Sequence, residues 1–309
     1  MSTSGAPPDD PLAIVCGAGN MPFRVADAVI ARGRRVVLLA LSGWADPVQV
    51  VRYRHYWARF GQLGYLSRVA RQEGCRDIVF IGAVTRPAIT QLRFDLRTLM
   101  VLPRIIKAFA GGDDHLLTRV SRIVENEGFR LLGAHEVAPE ILVPAGQLGR
   151  HAPSERDRAD IAVGQALLAA TGPFDIGQAV VVAGNRVIAI EAAEGTDRML
   201  ARIAQLRQDG VLKIPDKSGV LVKAPKPSQD RRFDLPSVGV RTVEAAVAAS
   251  LAGIAVEARG AVTADLDEMV HQADVAGLFV VGVPADEPER GDKRGDTPGP
   301  TPSPMRGQP

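Results

Sequence analysis

The densest group of chemically useful side chains lies in the stretch Lys223-Ala-Pro-Lys-Pro-Ser-Gln-Asp-Arg-Arg-Phe-Asp-Leu-Pro236. It holds four cations, two carboxylates and three prolines, and it follows the apolar run Gly219-Val-Leu-Val222, which predicts a short buried strand. The charges therefore emerge at a strand end, onto a loop stiffened by proline. Lys and Arg bind phosphate oxygens and Asp binds metal ions, so the pattern suits a phosphate-plus-metal site. A solvated, salt-bridged surface loop would have the same composition.

A second group of carboxylates lies in the segment Glu191-Ala-Ala-Glu-Gly-Thr-Asp197. Glu191 and Glu194 follow a predicted strand, and Gly195 and Thr196 precede a predicted helix. Two Glu and one Asp within seven residues could ligate a divalent cation or orient a water molecule. Capping explains Thr196, the expected N-cap, and Asp197 equally well, because a carboxylate in a first turn is stabilised by the helix dipole. A cap does not need Glu191 or Glu194, so these two favour function.

The segment Cys16-Gly-Ala-Gly-Asn-Met-Pro22 joins a predicted strand to a predicted helix, as the phosphate loop of a Rossmann fold does. Gly17 and Gly19 would let the backbone approach an anion, and the helix N-terminus would supply N–H donors. The dinucleotide fingerprint is broken, however, because Pro22 occupies the third glycine position and the second strand ends without an acidic residue. An NAD-dependent enzyme is disfavoured, which leaves a phosphate loop or a tight structural turn.

Three further features carry weaker signals. Gly111-Gly-Asp-Asp114 could bind a metal, although a helix cap plus a first-turn charge is the commoner meaning of such a pair. Arg86, after a predicted strand, could bind phosphate. The segment 89–109 mixes apolar and basic residues, which suits lipid tails or a membrane surface as well as an ordinary core-facing helix.

Alternating strand-like and helix-like runs predict an α/β protein with two α/β domains. The first is expected to be Rossmann-like with a parallel sheet, and the second to have a mixed sheet with helices. The predicted organisation is a disordered N-terminus at 1–11, the first domain at 12–138, a linker at 139–153, a catalytic domain at 154–283 and a disordered tail at 284–309. The pair Gly184-Asn185 between two apolar runs predicts a β-hairpin over Ala179–Ala183 and Arg186–Ile190.

Composition narrows the class of partner. Residues 1–150 carry 19 Lys and Arg against 13 Asp and Glu, whereas the remainder carries 18 against 22. A basic first half suggests an anionic partner, either a phosphorylated ligand or a membrane surface. Nucleic acid is not expected, because aromatic residues make up 5% of the chain and the arginines are scattered. Two distant cysteines argue against disulfides and structural zinc, and we expect a cytoplasmic protein without a signal peptide or membrane span.

Taken together, these segments resemble the UDP-2,3-diacylglucosamine pyrophosphatases of the LpxI type, which act in lipid A synthesis. The resemblance covers about residues 12–283 and is carried by motifs in matching order, namely Gly17–Pro22, Arg86-Pro87, Gly112–Leu117, Gly133–Val137, Asp175-Ile-Gly-Gln178, Glu191–Asp197, Lys223–Pro227 and Asp234-Leu-Pro236. The C-terminal motifs are specific. The first glycine-rich motif is a partial match.

The resemblance implies a hydrolase that depends on Mg²⁺ or another divalent cation such as Mn²⁺. It would split UDP-2,3-diacylglucosamine into UMP and 2,3-diacylglucosamine 1-phosphate (lipid X). The family's essential aspartate falls on Asp234, which we expect to be catalytic and to contact the metal, and Asp230 has a weaker claim. The resemblance also implies two domains with the substrate between them, a homodimer, and peripheral attachment to the inner membrane.

The remaining site residues are hypotheses that combine this resemblance with the chemistry above. Glu191 and Asp197 are expected to join Asp234 at the metal. The expected substrate contacts are Gly17, Gly19, Asn20, Arg86, Gln178, Glu194, Gly195, Thr196, Lys223 and Lys226. Two alternatives stay open, namely a pyrophosphatase for another nucleotide-sugar or nucleotide-lipid and a non-catalytic protein that binds a phospholipid-like ligand.

Overall fold

The computed structural model describes residues 9–84, 95, 98, 121–174, 176–226, 230–232 and 235–285. Predictions that fall on Arg86, Asp175 and Asp234, on residues 111–114 and on most of 89–109 lie outside these residues. No helix within the described ranges is long and apolar enough to cross a membrane.

The first half of the chain forms a five-stranded sheet in which every neighbouring pair is parallel, in the order β3-β2-β1-β4-β5. Its strands are β1 (Leu12–Cys16), β2 (Val36–Leu41), β3 (His55–Ala58), β4 (Asp77–Ile81) and β5 (Arg130–Leu131). The helices around it are α1 (Met21–Ala31), α2 (Pro47–Val50), α3 (Leu63–Gln72), α4 (Ala134–Val137) and a helical stretch at 121–126.

The central strands of this sheet are apolar along their whole length because both of their faces are covered. Every residue of β1 and β2 is buried, as expected for parallel strands between two helix layers. Leu12 and Ile14 pack on one face with α1, whereas Ala13 and Val15 pack on the other with α3. The predicted parallel, Rossmann-like first domain is confirmed.

The second half forms a six-stranded mixed sheet in the order β6-β11-β10-β9-β7-β8. β9, β10 and β11 are parallel, and β6, β7 and β8 add antiparallel pairs at the two sides. The strands are β6 (Gly146–Gln147), β7 (Ala179–Ala183), β8 (Arg186–Ile190), β9 (Val220–Lys223), β10 (Gly253–Glu257) and β11 (Phe279–Val283). The helices are α5 (Glu155–Thr171), α6 (Thr196–Gln208), α7 (Val240–Ala248) and α8 (Leu266–Ala276).

The predicted hairpin is confirmed with its bounds. Gly184 and Asn185 both have positive φ, at 59° and 58°, which is the backbone of a type I′ turn. The carboxylate of Asp160 on α5 accepts from the N–H groups of both turn residues, at 3.0 and 2.6 Å. A buried helix carboxylate therefore holds the turn that orients β7 and β8.

Two local expectations are corrected. Thr196 is the first residue of α6 rather than its N-cap, because Gly195 takes the cap position with φ +81° and leaves the threonine hydroxyl available to Lys223. The strand predicted at Gly219–Val222 is shifted by one residue to Val220–Lys223, so Lys223 belongs to β9 and not to the loop. The stretch 139–153 also contains β6, which pairs with β11.

Three segments, 141–143, 235–236 and 261–263, meet between the two halves of the fold. Val143 N donates to Ala261 O at 2.9 Å, Val262 N donates to Pro236 O at 2.9 Å, and Thr263 N donates to Ile141 O at 2.8 Å. The side chain of Val262 is part of the first domain's core, where Leu142 and Leu235 also pack. A residue encoded late in the chain thus completes the core of the first half.

Candidate functional site

The C-terminal edge of β9 brings several predicted site residues together. Lys223, the last residue of β9, pairs with Ala179 at the start of β7, and Val180 pairs with Ile190 at the end of β8. Gln178 and Glu191 therefore lie at the same sheet edge as Lys223. Glu191 accepts a hydrogen bond at its Oε2 from Gln178 N at 3.3 Å and at its carbonyl from Gly177 N at 3.0 Å. Strand register alone brings these distant segments together.

Lys223 has the most unusual environment of the predicted site residues. It is 6% exposed, and its Nζ donates to Thr196 Oγ1 at 2.9 Å and to Ser237 O at 3.0 Å. Burying an ammonium group costs free energy unless partners replace its water. These two contacts supply partners from α6 and from the chain just after the Asp-Leu-Pro motif.

The Nζ of Lys223 lies beside the start of α6, where it donates to Thr196 Oγ1. Thr196 is the first residue of α6, and a helix N-terminus carries partial positive charge with N–H groups that lack partners within the helix. The ammonium group of Lys223 adds a positive charge at that end, and Asp197 in the first turn of α6 adds a negative one. The geometry is suited to a phosphate group.

The predicted acidic residues have local partners. Glu194 forms an ion pair with Arg202 at 3.1 Å, and Asp197 forms one with Arg241 at 2.6 Å. Among the residues that the structure describes, no three His, Cys, Asp or Glu side chains group closely enough to hold a metal ion. The carboxylate oxygens of Glu191 and Asp197 are of the type that Mg²⁺ prefers, but these two alone do not make a metal site.

Gly177 is required by close packing next to this edge. A Cβ atom there would lie 2.5 Å from Glu191 Cγ and 2.6 Å from Glu191 O, closer than real atoms approach. The glycine of the Asp-Ile-Gly-Gln segment therefore lets the chain pass over Glu191.

Lys226 lies three residues beyond Lys223 and is half-buried.

The glycine-rich loop after β1 divides into two parts. Gly17 is buried, and a Cβ atom there would lie 2.7 Å from Gly82 O, so this glycine serves the contact between the loops that follow β1 and β4. Ala18 and Ala83 exchange backbone hydrogen bonds of 2.9 and 3.0 Å across the point where the strand order reverses. Ligands of open α/β sheets commonly bind there. Gly19, with φ +92°, and Asn20 are exposed, and a Cβ atom on Gly19 would meet nothing within 4 Å.

The charged loop is described at residues 230–232. Arg232 forms a fork with Asp230, from Nε to Oδ1 at 3.0 Å and from Nη2 to Oδ2 at 2.8 Å. The hydrogen bonds from Arg232 hold the pKa of Asp230 below its ordinary value. Arg231 donates to Glu257 at 3.1 Å, and burial raises the pKa of Glu257 despite this arginine. Asp230 is thus committed to a structural ion pair.

Sequence reasoning missed three parts of this region. Ser237 contributes a main-chain carbonyl, which no residue type signals. Glu257 ends a strand 26 residues after Arg231, so only the fold shows that the two residues are in contact. His135 has no metal-ligand spacing in the sequence, and its Nδ1 is buried without a hydrogen-bond partner among the described residues.

Comparison with known proteins identifies the family. Residues 11–141 match the model of the LpxI N-terminal domain, and residues 144–281 match that of the LpxI C-terminal domain. The chain is also 41% identical over 276 residues to a protein of Caulobacter vibrioides (strain ATCC 19089 / CIP 103742 / CB 15) named UDP-2,3-diacylglucosamine pyrophosphatase LpxI. That alignment covers 89% of this chain and 98% of the relative. With both domain models matched in order and a relative aligned over nearly its full length, the chain belongs to the LpxI family.

Proposed function

We propose that this protein hydrolyses UDP-2,3-diacylglucosamine to UMP and 2,3-diacylglucosamine 1-phosphate, as a step of lipid A synthesis. The observation that carries the proposal is the buried ammonium of Lys223 beside the start of α6, in a chain 41% identical to a protein named as a pyrophosphatase of that substrate; we propose that this ammonium binds a phosphate. In the reaction, water attacks one phosphorus, the bridging P–O bond breaks, and each product keeps one phosphate.

The described side chains suit the charge requirements of this reaction. A phosphoanhydride carries negative charge on two bridged phosphates, and catalysis depends on neutralising the charge that develops as the bridge breaks. Lys223 and the N–H groups at the start of α6 would bind phosphate oxygens there. Thr196 holds the ammonium in place, and Lys226, Gln178 and Gly19-Asn20 are proposed as further substrate contacts.

Metal dependence is part of the proposal. Glu191 and Asp197 offer oxygen ligands, and we propose Asp234 as the residue that would complete the site and act in catalysis. A bound divalent cation such as Mg²⁺ would neutralise charge on the anhydride and lower the pKa of an attacking water. Dialysis against a chelator should abolish activity, and Mg²⁺ or Mn²⁺ should restore it.

We further propose a cytoplasmic enzyme that works as a homodimer at the inner-membrane surface, where a lipid-linked UDP-sugar resides. Co-sedimentation with vesicles tests the attachment to a membrane surface, and light scattering of the purified protein tests the homodimer.

The decisive experiment measures UMP release from UDP-2,3-diacylglucosamine by mass spectrometry, with Mg²⁺ present. We expect turnover by the native protein and a loss of at least about 1,000-fold in kcat for Asp234→Ala, because a catalytic carboxylate has no substitute in the loop. Asp230→Ala is the comparison variant: Asp230 is paired with Arg232, so its loss should act only through the position of the loop and cost less, about 10- to 100-fold.

Three outcomes would contradict the proposal. Full activity in Asp234→Ala would remove that residue from catalysis. Tight binding of substrate without UMP release at any metal concentration would instead support a non-catalytic binding protein, and release from other nucleotide-sugars alone would change the substrate.

A further inference from the structure

The segment 230–232 contacts both halves of the protein through two consecutive arginines. Arg231 Nη2 lies 3.1 Å from Glu257 Oε1, at the end of β10 in the second sheet. Arg232 Nη1 lies 3.3 Å from Glu125 Oε1, on the helical stretch 121–126 of the first half. Neighbouring side chains thus extend to different domains.

The backbone at this point is also packed closely against the first domain. A Cβ atom on Gly133 would lie 3.2 Å from Arg232 Cα and 2.5 Å from His135 Cε1. Glycine at 133 therefore leaves room for both the histidine ring and the arginine backbone. The paired hydrogen bonds from the Arg232 guanidinium to the Asp230 carboxylate hold the turn together. The backbone N–H of Arg232 also donates to Asp230 Oδ1, at 3.1 Å.

The chain is anchored again shortly afterwards. Leu235 packs against the first domain's core, and Pro236 O accepts from Val262 N. Only two residues separate the contacts of Arg232 from those of Leu235, and consecutive Cα atoms are about 3.8 Å apart. Loss of the contacts at Arg232 or at Leu235 should therefore change the position of the Asp-Leu-Pro motif.

We propose that Arg231 and Arg232, with Glu257 and Glu125, are positioning residues that fix the Asp-Leu-Pro loop against both domains. This inference rests on the proposed function, because its catalytic consequence requires Asp234 to act on substrate. The ion pairs are partly exposed, with 49% of Arg231 and 34% of Arg232 accessible, so each adds little to global stability. Their effect is on geometry, where a displacement of about 1 Å can cost about 100-fold in rate.

The test uses the isosteric variants Glu125→Gln and Glu257→Gln, singly and combined, in the full-length protein. We expect the double variant to lose roughly 10- to 100-fold in kcat with KM changed less than about threefold, while its melting temperature stays near the native value. Arg71→Gln is the matched control. It removes an exposed ion pair to Glu127, on the chain next to Glu125 but within one domain, and should keep native kcat.

A second measurement is independent of activity. Hydrogen exchange followed by mass spectrometry should show faster deuterium uptake in peptides covering 230–238 of the double variant, with unchanged uptake in β1 and β9. Unchanged uptake at 230–238, or native kcat in the double variant, overturns the proposal. If uptake at 230–238 is faster in the double variant but the native protein does not hydrolyse the substrate, the anchoring role is supported and the proposed function is rejected.

Discussion

At the scale of single residues, the site depends on a charge held where water is scarce. Lys223 is surrounded by strand, helix and loop, and its Nζ donates to oxygens of Thr196 and Ser237. We propose that a phosphate oxygen of the substrate is a further partner of this ammonium. This environment distinguishes Lys223 from the surface lysines of the chain.

Lys223→Met should test this directly. The variant removes the charge but keeps the length of the side chain, so the cost to folding should be about 1–3 kcal/mol, from the unsatisfied oxygens of Thr196 and Ser237. We expect kcat/KM for UMP release to fall at least about 100-fold. The exposed Lys213 provides the control Lys213→Met, which should retain native activity. Native kcat/KM in a folded Lys223→Met protein would contradict the phosphate-binding role.

The sequence predicted the residue types of the site better than their partners. Charge and position at strand ends predict Lys223 and Glu191, the family resemblance predicts Gln178, and the structure places all three at one sheet edge. Their neighbours depend on the register between β7, β8 and β9, and the pairing of β7 with β9 joins residues 38 to 44 apart along the chain. The carbonyl of Ser237 could not be foreseen, because every residue has one.

At the scale of elements, the loop after β1 contains two glycines that its structure requires for different reasons. Gly17 is required by the nearby Gly82 backbone, whereas Gly19 is required only by its positive φ and faces open space. Both glycines belong to one motif, but the physical reasons for them differ.

Alanine substitutions should therefore affect the two positions differently. Gly17→Ala should destabilise strongly, by about 2–4 kcal/mol, because its Cβ would collide with fixed backbone. Gly19→Ala should cost about 1–2 kcal/mol from strain at φ +92° and should also raise KM if this loop contacts the substrate. Gly33→Ala, at φ +84° and also in open space, is the matched control for strain alone. Equal KM values for the Gly19 and Gly33 variants would remove Gly19 from the substrate contacts.

Element prediction succeeded where the pattern was local. The bounds of β7 and β8 agree with those expected, because each is an apolar run bounded by the Gly184-Asn185 turn. β3 and β6 were not predicted. β3 reads His-Tyr-Trp-Ala and lies at a sheet edge, and β6 has only two residues, so neither carries a pattern of its own; each exists because a longer strand offers it hydrogen bonds.

At the scale of the whole molecule, a buried cluster at the opposite end of the first sheet joins distant parts of the chain. Asp77 is 1% exposed and pairs with Arg34 at 2.7 Å and with Arg130 at 2.8 Å. Burial alone would raise the pKa of Asp77, but the hydrogen bonds from Arg130 and Arg34 outweigh it and hold the pKa below its ordinary value. The start of β4 is thereby linked to β5 and to the turn before β2.

This cluster should set part of the protein's acid sensitivity. A lowered pKa means that Asp77 stabilises the fold at pH values above its unfolded pKa, about 3.9, and that this contribution is lost as pH falls through the folded value. Asp77→Asn should cost about 3 kcal/mol at neutral pH, because buried Arg34 loses its shorter ion pair and keeps only Asp10, at 3.3 Å, and it should flatten the decline in stability below pH 4. Urea unfolding between pH 2.5 and 7 measures both effects. The control Glu155→Gln alters a carboxylate that is 98% exposed and should leave the curve unchanged. A variant curve parallel to the native one would contradict the assignment.

The side chain of Val262 packs in the first domain's core, which limits where the chain can be cut into separate domains. A fragment ending near residue 141 would lack a side chain that its own core requires, together with the Leu235 and Leu142 that pack beside it. Such a fragment would expose an apolar depression and bind its missing half or aggregate. A recombination event that transferred only the first domain would therefore transfer an incomplete core.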